Sequence, residues 1–185
     1  ELNKLFKHLN KIILVCKKLN IKKIIIGSSY LRNKKDITKQ DADTKFVEFF
    51  SRFKKILKKN KIFFCIETIP KKYKEDYLYN FDHTIKVIKM INCKYILINF
   101  DTSIFHFNKY KFGNYSNNFK YIKNTQISSK NFKSFVYISK NNKKFSKSLK
   151  KFNKLNSISL EMILNRPSDL LVEKSIDNFK KHFSN

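Results

Sequence analysis

The chain has 185 residues, of which 42% are hydrophobic and 15% aromatic, enough for a single domain (1–185) with a substantial core. No apolar run approaches the roughly 20 residues of a membrane span, and no signal-peptide pattern opens the chain, so we expect no membrane partner. The net charge of +27 invites a nucleic-acid partner, but lysine carries nearly all of it. Lysine, asparagine, isoleucine, phenylalanine and tyrosine all have AT-rich codons, so genome composition accounts for this charge about as well as a nucleic-acid function does. We expect no specific nucleic-acid binding.

The first segments alternate between helix and strand. Apolar residues recur at helical spacing over 2–19, with lysines on the outer face, which predicts an amphipathic helix. A short buried strand follows at 22–27, and Gly27 permits a tight exit and a close backbone approach by a ligand. Arg32, just beyond, suits either an anionic substrate group bound through two hydrogen bonds or a surface salt bridge.

A second strand, 61–67, ends in an acid. It follows a polar loop (33–42) and a helix predicted over 43–59, for which Asp41 or Asp43 is a candidate N-cap. The strand is apolar on both sides, as a helix-covered parallel sheet requires. Ligands of α/β folds bind outside the carboxyl ends of the strands, so Glu67 is either placed for chemistry or is a solvated acid at a strand exit.

The pattern of a buried strand that ends in a polar side chain recurs further along the chain. A helix over 82–92 leads to a strand over 94–100 with Asp101 at its exit, and the irregular segment 103–117 carries His106. A weaker strand, 119–126, ends at Gln126.

The last part of the chain follows the same alternation. The segments 132–138 and 143–155 are amphipathic and predicted as helices. A final strand over 157–161 ends in Glu161, and a terminal helix runs to about 182.

Five alternations of strand and helix argue for a parallel sheet with right-handed crossovers. The intervals between Glu67, Asp101, Gln126 and Glu161 are 34, 25 and 35 residues, each about one strand–helix unit. These four side chains should therefore meet at one rim of the sheet. Three carboxylates repel one another unless a cation or shared protons neutralise them, and a ring of hard oxygen ligands suits Mg²⁺ or Mn²⁺ better than zinc.

Together these segments resemble the xylose-isomerase-like TIM barrels, specifically the sugar-phosphate isomerase and epimerase group. The motifs that carry the resemblance are IIIGSSYLR (24–32), CIETIP (65–70), INFDTS (98–103), NTQISS (124–129) and SISLEM (157–162). The resemblance implies an α/β fold, the (β/α)8 TIM barrel, with its last five strand–helix units in this chain and three more units before Glu1.

The resemblance also implies the chemistry of the rim. It assigns Glu67, Asp101, Gln126 and Glu161 to the binding of one divalent metal. Glu67 and Glu161 become the pair that moves a proton at a sugar carbon next to a carbonyl.

Substrate contacts are expected at Arg32 and His106, although some epimerases keep their substrate-contacting histidine at the position of Ile104. The expected partner is a sugar or sugar phosphate, in a protein compatible with homo-oligomerisation. Cysteines Cys16, Cys65 and Cys93 lack metal-ligand spacing, which indicates free thiols in a reducing compartment and a cytoplasmic location.

Two departures from the family pattern keep alternatives open. Gln126 stands where the family has its metal-binding histidine, and Phe132 stands where some epimerases have an arginine. A sugar-binding barrel that has lost its chemistry is one alternative. An endonuclease IV-like barrel that binds nucleic acid is another, but it needs many histidine ligands, and none of the four histidines (His8, His83, His106, His182) is in step with the carboxylates.

Overall fold

The computed structural model describes residues 1–107, 112–151, 158–164, 166 and 168–183. Its five strands are parallel neighbours in chain order, β1-β2-β3-β4-β5, with β1 and β5 at the edges of the sheet. The predicted α/β architecture is therefore confirmed. The chain divides into two compact units, Glu1–Asn99 and Phe100–Asn185; that they form a single domain stays a prediction.

The first unit contains two complete strand–helix alternations and most of the third strand. Its elements are α1 (Leu2–Lys18), β1 (Lys23–Ile26), α2 (Lys39–Ser51), α3 (Lys54–Asn60), β2 (Phe63–Glu67), α4 (Phe81–Ile91) and β3 (Ile96–Asp101), the last of which continues into the second unit. The register pairs Ile26 with Ile66 and Glu67 with Asn99.

The helix predicted over 43–59 is two helices, and it begins earlier than expected. Thr38 caps α2, since its side chain accepts a hydrogen bond from the backbone N–H of Asp41 (3.1 Å). The polar stretch before residue 43 is therefore partly helical. Between α2 and α3 the backbone tightens, with Phe53 N–H donating to Phe50 O (3.1 Å). The fully buried Phe53 packs there against Phe64, with ring centroids 5.1 Å apart.

The second unit holds the end of β3 and the remaining elements. These are α5 (Ser103–Phe107), a 3₁₀ helix (Phe112–Tyr121), β4 (Ile122–Ser128), α6 (Lys140–Lys151), β5 (Ile158–Glu161) and α7 (Asp169–Phe183). The segment predicted as irregular, 103–117, thus contains helical turns, and β4 starts three residues later than predicted. The end of the helix predicted over 143–155 falls partly outside the described residues.

The helix predicted over 132–138 is wrong. Asn131 and Phe132 both have positive φ angles (60° and 56°), which end any helix there. The backbone beyond them bonds to α7 instead: Phe135 N–H donates to Ser175 Oγ (3.2 Å), and Asn178 Nδ2 donates to Phe135 O (2.9 Å). Tertiary contacts therefore override the amphipathic pattern of this segment.

Each unit has its own apolar packing. In the first unit, phenylalanines of α2 and the turn after it pack on β2, and in the second unit the buried residues Ile127, Phe135, Leu149 and Phe183 form a cluster. Truncating a fully buried phenylalanine such as Phe53 typically costs about 3–5 kcal/mol. These packed layers fix the strand ends on which the polar side chains stand.

Among the described residues, no helix combines the length and the apolar character needed to cross a bilayer. All three cysteines are free thiols; Cys16 and Cys65 are buried and Cys93 is half-buried.

Candidate functional site

Glu67 is the last residue of β2, and its carboxylate is held from two sides within the first unit. Asn99, its register partner on β3, donates a hydrogen bond from Nδ2 to Oε1 (3.1 Å). On the other side lies Gly27, at the exit of β1, where a β-carbon would overlap Oε2. The close approach that Gly27 permits is therefore made by the Glu67 carboxylate.

Arg32 forms a buried clamp between the loops that follow β1 and β2. Its Nη2 lies 2.9 Å from Glu75 Oε2, with both side chains almost fully buried. Its Nη1 donates to the backbone carbonyl of Glu67 (2.7 Å). The salt bridge of Arg32 is thus internal, which differs from the surface salt bridge that is one of its two sequence interpretations. The other, a contact of Arg32 with an anionic substrate group, stays a prediction.

Asp101, the last residue of β3, is buried in a nest of hydroxyl and amide donors. Its Oδ1 accepts hydrogen bonds from the backbone N–H of Ser103 and from Ser128 Oγ, and its Oδ2 accepts one from Ser103 Oγ, each at 2.7 Å. Burial raises the pKa of Asp101 above its usual range, although these hydrogen bonds oppose the shift. The chain itself supplies orientation to this carboxylate but little positive charge.

Glu161, the last residue of β5, lies close to Asp101 in the second unit. One carboxylate oxygen of each lies within 4.8 Å of the other. Burial, and next the negative charge of Asp101, raise the pKa of Glu161. Its Oε2 is buried and accepts no hydrogen bond from the residues that the structure describes. A cation bound here would reduce the repulsion between the two carboxylates and would provide a contact for the buried Oε2 of Glu161. The Asp101–Glu161 pair therefore fits a cation.

Gln126 does not end its strand. β4 continues to Ser128, two residues further on the same face, and it is Ser128 that bonds to Asp101. The expected place of Gln126 among the metal ligands stays a prediction.

His106, in α5, places Nε2 3.0 Å from the backbone oxygen of Ser128, to which it donates. Burial is the main cause that lowers the pKa of His106. This contact ties α5 to the end of β4; substrate binding by His106 stays a prediction.

Sequence analysis missed three residues that hold the carboxylates: Ser103, Ser128 and Asn99. All three lie within the motifs INFDTS and NTQISS. Serine and asparagine near a strand end are common in loops of any kind. Only the strand register and the hydrogen bonds to the carboxylates distinguish these three residues from ordinary loop residues.

Comparisons with known proteins agree with this architecture. The family model described as xylose isomerase-like TIM barrel matches residues 2–182. A search of curated proteins gives no match.

Several solved structures share the fold at low sequence identity. D-psicose 3-epimerase from Clostridium cellulolyticum H10, solved with D-tagatose, has a TM-score of 0.83 and 12% identity, over 99% of this chain and 72% of that chain. The IOLI protein with a bound zinc atom has a TM-score of 0.75 and 14% identity, with the same coverage of 99% and 72%. An AP endonuclease, family 2, from Brucella melitensis has a TM-score of 0.78 and 12% identity, over 97% of this chain and 68% of that chain. Similarity at this level shows a shared fold.

Proposed function

The chain belongs to the xylose isomerase-like TIM barrel family, and from the acids at its strand ends we propose that it is a metal-assisted isomerase or epimerase of a sugar or sugar phosphate. The observation that carries the proposal is the Asp101–Glu161 pair, two crowded carboxylates of raised pKa, one of which has a buried oxygen without a partner. Epimerases of D-psicose and L-ribulose are among the proteins with this fold, which supports a sugar as substrate.

We assign four residues to the metal: Glu67, Asp101, Gln126 and Glu161. Supporting this set, Asn99 is the register partner of Glu67 and lies two residues before Asp101 on the same face of β3. All four candidate ligand atoms are oxygens, which favours Mg²⁺ or Mn²⁺ over zinc. When bound, the metal would polarise the carbonyl and hydroxyl oxygens of the sugar.

The protein's own residues divide the remaining work. Of the pair Glu67 and Glu161, one removes the proton from the carbon next to the carbonyl, and the other returns a proton to it. Asn99 orients the carboxylate of Glu67, and Ser103 and Ser128 orient that of Asp101. The raised pKa of Glu161, caused by burial and next by Asp101, suits a group that must both hold and release a proton.

Gln126 favours one competing function, a sugar-binding barrel without catalysis, because a neutral amide is a weaker ligand than histidine or carboxylate. The nuclease alternative has less support from this chain. His106 is bonded to the backbone of Ser128, and His83 is bonded to Asp43. Both histidines therefore have structural contacts that account for them.

The test is calorimetric titration of the full-length protein with Mn²⁺, beside Glu161→Gln and the exposed control Glu173→Gln. We expect the wild type and Glu173→Gln to bind alike. Glu161→Gln should bind more than about 100-fold more weakly, since even outer-shell changes cost about 10–100-fold. Absence of binding by the wild type, or equal binding by Glu161→Gln, would remove the metal-assisted mechanism and leave the inactive barrel.

The proton-transfer step has its own measurement. With D-psicose or L-ribulose in D₂O, the wild type should exchange deuterium into the carbon next to the carbonyl. Glu67→Gln and Glu161→Gln should each abolish conversion to the epimer, because the remaining glutamate can exchange only the proton on its own face of the carbon. Conversion at the wild-type rate in either variant would refute the two-glutamate assignment.

A further inference from the structure

We propose that Gly27 is a positioning residue for Glu67: the missing side chain at position 27 leaves the space that the Glu67 carboxylate occupies. The inference rests on the proposed function only for the role of Glu67. The contact itself is a property of the first unit and has a readout in stability that does not depend on activity.

The contact is specific to one side chain. A β-carbon built on Gly27 would overlap Glu67 Oε2, lie 3.1 Å from Cδ and 3.5 Å from Cβ of the same residue. These are its three nearest heavy atoms. Among the described residues outside the immediate chain neighbours of Gly27, a methyl group at position 27 therefore meets Glu67 first.

Backbone conformation does not explain the glycine. The φ angle of Gly27 is not positive, so an L-residue adopts the same backbone without strain. At such a position, replacing glycine by alanine normally stabilises a protein, because it reduces the entropy of the unfolded chain. What glycine provides here is room.

The surroundings of Glu67 determine what would move. Its backbone carbonyl accepts the 2.7 Å hydrogen bond from the buried Arg32, and its Oε1 accepts the 3.1 Å hydrogen bond from Asn99. The main chain is thus anchored, while the carboxylate is the far end of a flexible side chain. A methyl group at position 27 would displace the carboxylate and leave the strand in place.

A double-mutant cycle on the full-length protein tests the contact, with melting temperature (Tm) as the readout. In the Glu67→Ala background the carboxylate is gone, so Gly27→Ala should raise Tm by about 1–4 °C. In the wild-type background the same substitution should lower Tm by a few degrees. If Gly27→Ala folds only together with Glu67→Ala, the coupling is stronger still and supports the proposal. Equal Tm shifts in both backgrounds would overturn it.

Metal affinity supplies the second arm. Gly27→Ala should weaken Mn²⁺ binding at least about tenfold, whereas the neighbouring Ser28→Ala should leave it unchanged. Coupling in the Tm cycle without Mn²⁺ binding by the wild type would retain the positioning contact and remove the proposed function. Mn²⁺ binding that Gly27→Ala leaves unaltered would overturn the positioning role and retain the function.

Discussion

Asp43 and Asp101 are both buried carboxylates, with 3% and 6% of their residue surfaces exposed, yet their pKa values shift in opposite directions. Asp43, in α2, accepts hydrogen bonds from His83 Nε2 (2.6 Å), Tyr77 Oη (3.0 Å) and Lys86 Nζ (3.3 Å). Burial alone would raise its pKa, but these partners more than compensate, and the pKa of Asp43 is lowered.

Asp101 has neutral donors and an acidic neighbour. Its hydrogen bonds come from Ser103 and Ser128, and Glu161 lies nearby. No lysine or arginine among the described residues forms an ion pair with it. The chain therefore neutralises Asp43 internally, while it leaves Asp101 and Glu161 with a charge that an external cation would balance. The first arrangement stabilises the fold, whereas the burial of two neighbouring carboxylates costs stability.

The largest expected effect on stability is at Asp43 and its partners His83, Tyr77 and Lys86, which form the Asp43 cluster. Asp43→Asn should lower the free energy of unfolding by about 3 kcal/mol, because His83, Tyr77 and Lys86 lose their charged acceptor and two of them are buried. Urea unfolding at pH 7 measures the loss. The exposed Asp36→Asn should stay within about 0.5 kcal/mol of the wild type. If Asp43→Asn also stays within about 0.5 kcal/mol of the wild type, the hydrogen bonds of Asp43 contribute little to the stability of the fold.

The pH dependence of the same pair of proteins sharpens this result. Because the folded-state pKa of Asp43 lies below its ordinary value of 3.8, its contribution to stability is fully present above that value. It is lost as pH falls through the folded-state pKa. The difference in unfolding free energy between wild type and Asp43→Asn should therefore shrink below about pH 4. A difference that grows on acidification would contradict the lowered pKa.

A smaller effect on stability, of opposite sign, is expected at the Asp101–Glu161 pair. Without added metal, Glu161→Gln should raise Tm by about 2–4 °C, the shift that corresponds to about 1 kcal/mol in a chain of this size. The amide replaces a carboxyl group whose pKa is raised by burial and next by Asp101, and it carries no negative charge. Glu173→Gln, on the exposed face of α7, is the matched control. A lower Tm for Glu161→Gln in metal-free buffer would show that its charge is already balanced.

The smallest effect on stability is expected at the exposed edge of the Asp43 cluster. Lys86 lies 3.3 Å from Asp43 Oδ2, but its side chain is 64% exposed. Lys86→Met should therefore change the free energy of unfolding by less than about 0.5 kcal/mol. A loss comparable to that of Asp43→Asn would assign the stabilisation of Asp43 to the ammonium group in place of His83 and Tyr77.

Local patterns in the sequence are sufficient to predict the order of the elements and the acids at the strand ends. Apolar runs and helical spacing are local patterns, so they predicted five parallel strands, and Glu67, Asp101 and Glu161 are indeed the last residues of β2, β3 and β5. Strand ends were less certain where the pattern was weak. β4 runs past Gln126 to Ser128 because its hydrogen bonds continue there.

The contacts of each polar side chain depend on long-range packing, which local sequence patterns do not predict. Arg32 and Glu75 are 43 residues apart, and Asp43 and His83 are 40 apart; no local pattern couples positions at such separations. The same reason explains the segment 132–138, whose helical pattern yields to hydrogen bonds from α7. Helical and strand periods report which face of a segment is buried, whereas the partner of a buried charge depends on which distant segments fold against it.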